Sequence, residues 1–210
     1  MIRKLLFAFG ILALATLILF VSALRTASVR YEFTGTSNPN LSDSILAQYD
    51  TDIYYNLPHQ GRVLPDSPLW PLKALRDKLW LFVTTNSSRK AELKLLFADK
   101  RLMSARILFE KDKPELAFTT LSKGEKYLEE ALIQENENRS KGMDTADFLE
   151  RLANASLKHL ELMEEIIQIA PEDAKPKIIE LQMYPNKVYE LSRDALNEKG
   201  RTPPINPFAR

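Results

Sequence analysis

The stretch LPDSPLWPLKALRDKLWLFVTTNSSRKAELKLLFADKRL, residues 64–102, decides the fold. It holds both tryptophans, Trp70 and Trp80, and the densest helix punctuation in the chain. Ser67 followed by Pro68 reads as a helix start: a serine oxygen can accept an orphan first-turn N–H, and proline has no N–H to lose there. Pro71 falls in the same first turn, where donors are still free. Leu69, Leu72, Leu75, Leu79 and Phe82 then recur at steps of three and four, one apolar face of a helix. Thr84-Thr85-Asn86-Ser87-Ser88 is poor in helix formers and rich in capping residues, so one helix stops there and another starts. In the second helix Ala91, Leu95, Ala98, Leu102, Ala105 and Phe109 share a face whose alternation of small and large residues lets a neighbour approach closely. Its opposite face carries Arg89, Lys94, Lys100, Arg101 and Arg106 with Glu92, Asp99 and Glu110, and reads as solvated and salt-bridged. Two helices joined by a short polar turn are expected to lie antiparallel.

The same residues resemble a bacterial family catalogued as domain of unknown function 5667. Its pattern is a proline-bounded "PxSPLYxLK" start, a short break, then a helix reading like "AExxLxxAxxRL". Pro65, Ser67, Pro68, Leu69, Leu72 and Lys73 match the first part, and Ala91, Glu92, Leu95, Ala98, Arg101 and Leu102 the second. Trp70 stands where the pattern has an aromatic residue, often tyrosine. The resemblance covers roughly the first half of the polar part of the chain. It implies a secreted or membrane-anchored helical module and brings no catalytic residue or ligand with it.

Further helices follow downstream. A third is expected from Lys113-Pro114-Glu115 to Ser140-Lys141-Gly142, with Ala117, Leu121, Gly124, Leu128 and Ala131 on one face and Lys123, Glu125, Lys126, Glu129 and Glu130 on a charged one. Gly124 costs roughly 1 kcal/mol of helix propensity against alanine, so its place on the apolar face predicts close contact with the alanines of the second helix. Asp144 caps a fourth helix whose inward residues are Leu149, Leu152, Ser156, Leu160, Met163 and Ile167, ended by Pro171. A fifth segment, 172–199, is interrupted by Pro176 and expected to kink or split at Pro185. Residues 201–210, with three prolines, read as an extended tail.

Upstream, Arg3 and Lys4 precede LLFAFGILALATLILFVSAL, which carries no charge until Arg25. About twenty apolar residues suffice to span a bilayer, and the leading basic residues place the N-terminus in the cytoplasm with the body exported. Val21-Ser22-Ala23 also fits a signal-peptidase site, so cleavage after Ala23 would give a secreted form; the length of the run favours an uncleaved anchor. Residues 25–63 lack helical periodicity and read as an extended tether, with Tyr49, Tyr54 and Tyr55 as an aromatic strip that either packs back on the helices or serves recognition.

Composition removes several chemistries. Lys plus Arg is 29 against 28 Asp plus Glu, so there is no basic excess for phosphate and no nucleic-acid partner is expected. With no cysteine, disulfides, thiolate nucleophiles and cysteine metal sites are excluded. His59 and His159 are too few for a histidine metal site, and His159, near the apolar face of the fourth helix, reads as a packed histidine. No P-loop, Rossmann or GxSxG motif occurs. Glu129-Glu130 and Glu164-Glu165 point about 100° apart on a helix and do not converge.

The sequence thus predicts an all-α protein: a transmembrane or signal helix over 1–24, a tether over 25–63, a bundle of about five antiparallel helices over 64–200, and a proline-rich tail over 201–210. No catalytic, cofactor or metal residues are expected. The candidate interaction surface is Tyr54, Tyr55, Trp70 and Trp80. The expected role is that of a non-enzymatic module, single-pass in the cytoplasmic membrane and exposed outside the cytoplasm, binding an envelope protein or peptide. The alternative is a chaperone-like or structural protein holding unfolded clients; an enzyme ranks third.

Overall fold

Helix α2, Ser87–Glu110, is the central element of the helical bundle, with α1 (Trp70–Val83) before it and α3 (Pro114–Ser140), α4 (Ala146–Ile169), α5 (Lys175–Leu181) and α6 (Met183–Glu198) after it. The computed structural model describes residues 10–12, 15, 31–38 and 53–209, and no strand occurs among them. The chain divides into two compact units, Met1–Tyr31 and Glu32–Arg210. The apolar segment expected over 1–24 lies, apart from residues 10–12 and 15, outside the described residues, as does Tyr49. No described helix is long and apolar enough to cross a membrane.

The second unit is built on the α2–α3 hairpin. Asn86 starts α2 by accepting the Arg89 N–H on its side chain at 2.9 Å. The connection to α3 is a Schellman turn: the Asp112 N–H donates to the Phe109 carbonyl at 3.0 Å and the Lys113 N–H to Leu108 at 2.9 Å. That turn needs a left-handed residue, and Asp112 takes the role at φ 54°. Its carboxylate compensates by accepting the Ser37 N–H at 2.8 Å. The two helices run antiparallel, since Gly124 faces Ala98 while Lys94, earlier in α2, pairs with Glu130, later in α3. A Cβ on Gly124 would stand 3.3 Å from the Ala98 carbonyl oxygen and 3.4 Å from the Leu102 nitrogen, so the glycine lets two backbones approach as its place on the apolar face predicts.

Leu95, Ala98, Leu128, Ala131, Leu152, Ala155 and Val188 join α2, α3, α4 and α6 in one core cluster. A second cluster, including Leu149, Leu157, Tyr189 and Leu196, welds α4 to α6 and takes in Ile53 and Phe208 from the segments before and after the helices. α6 returns antiparallel to α4, its end pinned to the start of α4 by Arg201 on Asp147 at 2.8 Å. The split expected at Pro185 occurs three residues earlier, at Gln182, leaving Pro185 in the first turn of α6 where its missing N–H costs nothing. The fifth segment is therefore two helices, which makes six among the described residues.

Three expectations change. The first helix begins at Trp70, not at Ser67: residues 65–69 form turns, and the Ser67 carbonyl accepts the Trp70 N–H at 3.0 Å. Asp99 and Arg101 of the expected solvated face of α2 are buried, and so is Glu125 of α3, because α2 is covered on nearly every side. The main helical hairpin is α2–α3; α1 instead lies on the bundle through Trp80, edge-on to Phe97 at 6.3 Å, and through the buried Asp77.

Candidate functional site

Two features stand apart from ordinary packing. One is a row of ionisable side chains inside the bundle. Asp99 follows Leu95 by four and precedes Leu102 by three; Glu125 stands in the same relation to Leu121 and Leu128, so both carboxylates share faces with core leucines. His159 enters between them from α4. Its Nδ1 lies 3.0 Å from Glu125 Oε1 and its Nε2 3.1 Å from Asp99 Oδ1. The Tyr55 hydroxyl donates to the other Asp99 oxygen at 2.7 Å. Histidine and both carboxylates are sealed from solvent.

Burial by itself would drive the imidazole towards its neutral form, but the Glu125 charge and the hydrogen bonds to Asp99 and Glu125 outweigh it and lift the His159 pKa to about 10. At neutral pH His159 is an imidazolium with both N–H groups donating. Burial and the facing Asp99 charge also push the Tyr55 hydroxyl above its ordinary value. The cluster therefore clamps α2, α3 and α4, with the 53–55 segment as a lid on Asp99. A general acid or base needs a pKa near the working pH and contact with a reacting proton; this imidazolium has neither. Among the described residues no group of three or more His, Asp or Glu side chains is placed to hold a metal ion.

The second feature is α1. Its one buried residue is polar: Asp77 packs inwards, paired with the exposed Arg76 at 2.6 Å. Lys73 turns to donate to the carbonyls of Gln60 at 3.1 Å and Val63 at 2.8 Å, which fixes the preceding segment alongside the helix. Asp66 holds Lys113 at 2.8 Å and Lys111 at 3.3 Å, and these cations keep its carboxyl below the usual range. The leucine stripe read from the sequence faces outward: Leu72 is 68% exposed, Leu75 48% and Phe82 85%. Between this stripe and residues 60–63 runs an apolar groove of about 650 Å³, with Arg62, Arg76 and Lys100 at its edge.

A family model described as domain of unknown function, DUF5667, matches residues 62–173. The chain belongs to the DUF5667 family. The match takes in the groove from Arg62 onward, all of α1 to α4, and the Asp99–His159–Glu125 cluster, so it extends well beyond the part that carried the sequence resemblance. The segment bearing Tyr54 and Tyr55 precedes it, and α5 and α6 follow it. No curated protein and no solved structure matches this DUF5667 chain.

The four residues singled out from the sequence do not form one patch. Tyr54 projects outwards, 94% exposed, while Tyr55 on the next position turns inwards to Asp99. Trp70 sits half-buried at the start of α1 with the Lys73 ammonium 5.0 Å from its ring. Trp80 shows one edge and packs the other towards Phe97, behind which Tyr127 supports the Arg101 guanidinium at 4.4 Å. Sequence reasoning passed over Asp99, Glu125 and the outward leucines as functional features. The spacing of both carboxylates from core leucines was the available signal for the cluster.

Proposed function

We propose that this protein is a non-catalytic docking module that engages an envelope protein or peptide through α1. In this reading residues 1–24 hold it in the cytoplasmic membrane with the helical unit outside the cytoplasm, as the charge-free run after Lys4 suggests. One observation carries the docking role: the apolar side of α1 faces solvent while its aspartate is buried, the reverse of what core packing alone selects. A contiguous stripe of leucine and phenylalanine at helical spacing is the surface a partner covers. The non-catalytic reading is supported by the sealed state of His159, Asp99 and Glu125.

The test is a photo-crosslinking residue at Leu79 in the full-length chain expressed in its own cells, with the same residue at Glu190 as control. One or two envelope proteins captured at Leu79 alone support the proposal. Many unrelated exported proteins would replace it with client holding, and cytosolic partners would overturn the assigned orientation. Equal capture at both positions would remove α1 from the mechanism.

A further inference from the structure

Resting on that docking role, the charge around the α1 groove specifies its occupant. The floor is leucine: Leu72, Leu75 and Leu79 rise at three- and four-residue steps along α1. The wall opposite is residues 60–63, held in place by Lys73 through two backbone carbonyls. Every charged residue at the groove is cationic. Arg76 is already neutralised by Asp77. Arg62 and Lys100 are paired with no carboxylate among the described residues. The groove thus combines an apolar floor with cations and no carboxylate in its lining.

We propose that the groove between α1 and residues 60–63 receives an amphipathic helix whose apolar face is bordered by Asp or Glu. Leucine ridges at this spacing interdigitate with those of a second helix, and carboxylates at its edge meet Arg62 and Lys100. A second copy of α1 offers no free carboxylate to these cations, because its one acidic residue, Asp77, is buried and already paired with Arg76, so charge does not favour self-pairing. A flat bilayer would leave the wall at 60–63 without a role.

The probe is a dye-labelled helical peptide with leucine at every third and fourth position and glutamate beside that face, measured by fluorescence anisotropy. The full-length chain is held in phosphatidylcholine nanodiscs, and the same peptide with lysine for glutamate is the control. The glutamate peptide is expected to bind about tenfold tighter than the lysine peptide, and the double variant Arg62→Glu, Lys100→Glu to invert that preference with unchanged helicity. Equal affinity for both peptides would overturn the charge rule in favour of indiscriminate apolar binding. Binding of neither peptide, with Leu79 still crosslinking an envelope protein in cells, would sink this partner chemistry and leave the docking role standing. Binding of neither peptide, with Leu79 crosslinking lipid alone, would overturn both.

Discussion

The interior of the α2–α4 bundle and the outer face of α1 have exchanged the roles usually given to charge and leucine. Inside, Asp99, Glu125 and His159 are buried, and each finds a partner within 3.1 Å. Outside, Leu72, Leu75, Leu79 and Phe82 are exposed and none of them belongs to the core. A buried charge is tolerated when an opposite charge and hydrogen bonds replace the water it lost. An exposed leucine stripe gains nothing from water and adds little to the monomer's own stability. The bundle's charges thus serve the fold, and α1's leucines are the surface the proposed docking role would use.

The largest effect should come from breaking the interior pairing. His159→Leu leaves two carboxylates buried without a cation and should cost about 3–5 kcal/mol in chemical denaturation; a loss below about 1 kcal/mol would mean the cluster is not the clamp described. Raising the pH acts on the same bond more gradually. The folded-state pKa of His159 stands above its unfolded value, so the stabilisation is complete below about pH 6.5 and is lost as pH rises through about 10. Wild-type Tm should therefore fall between pH 7 and pH 10, and His159→Gln should flatten that slope. A wild-type Tm independent of pH across this range would argue for a neutral imidazole.

Ala98→Leu should follow in size. The residue is fully buried where Gly124 brings α3 against α2, and overpacking there should cost about 1–3 kcal/mol; an unchanged Tm would show that this interface yields. Smallest of all, Leu75→Ser together with Leu79→Ser should move stability by no more than about 0.5 kcal/mol each, as for surface positions, while abolishing capture at α1. A large stability loss in that variant would place these leucines in the fold and erase the contrast between the two regions.

Much of this was legible in the residues. Asn86, Pro114 and Gly142 mark helix ends where punctuation predicts them, and the 91–109 face of α2 is buried throughout. The end of α2 was harder, because Asp112 adopts a left-handed conformation usually left to glycine or asparagine and is compensated by Ser37, 75 residues away in sequence. Asp99 and Glu125 looked like members of charged faces, since periodicity shows which residues share a face but not how many faces a neighbour covers.

By itself, the sequence determined the all-α class, the order and approximate ends of the helices, and a close α2–α3 contact at Gly124. Those follow from backbone sterics, capping and spacing, which act within a few turns of chain. Only the tertiary structure decided that Asp99, Glu125 and His159 meet, and that the apolar side of α1 looks away from the core. Pairing charges 34 and 60 residues apart depends on how whole helices stack. The direction in which an amphipathic helix turns its leucines depends on what stands beside it, and on α1 the bundle meets the side bearing Asp77.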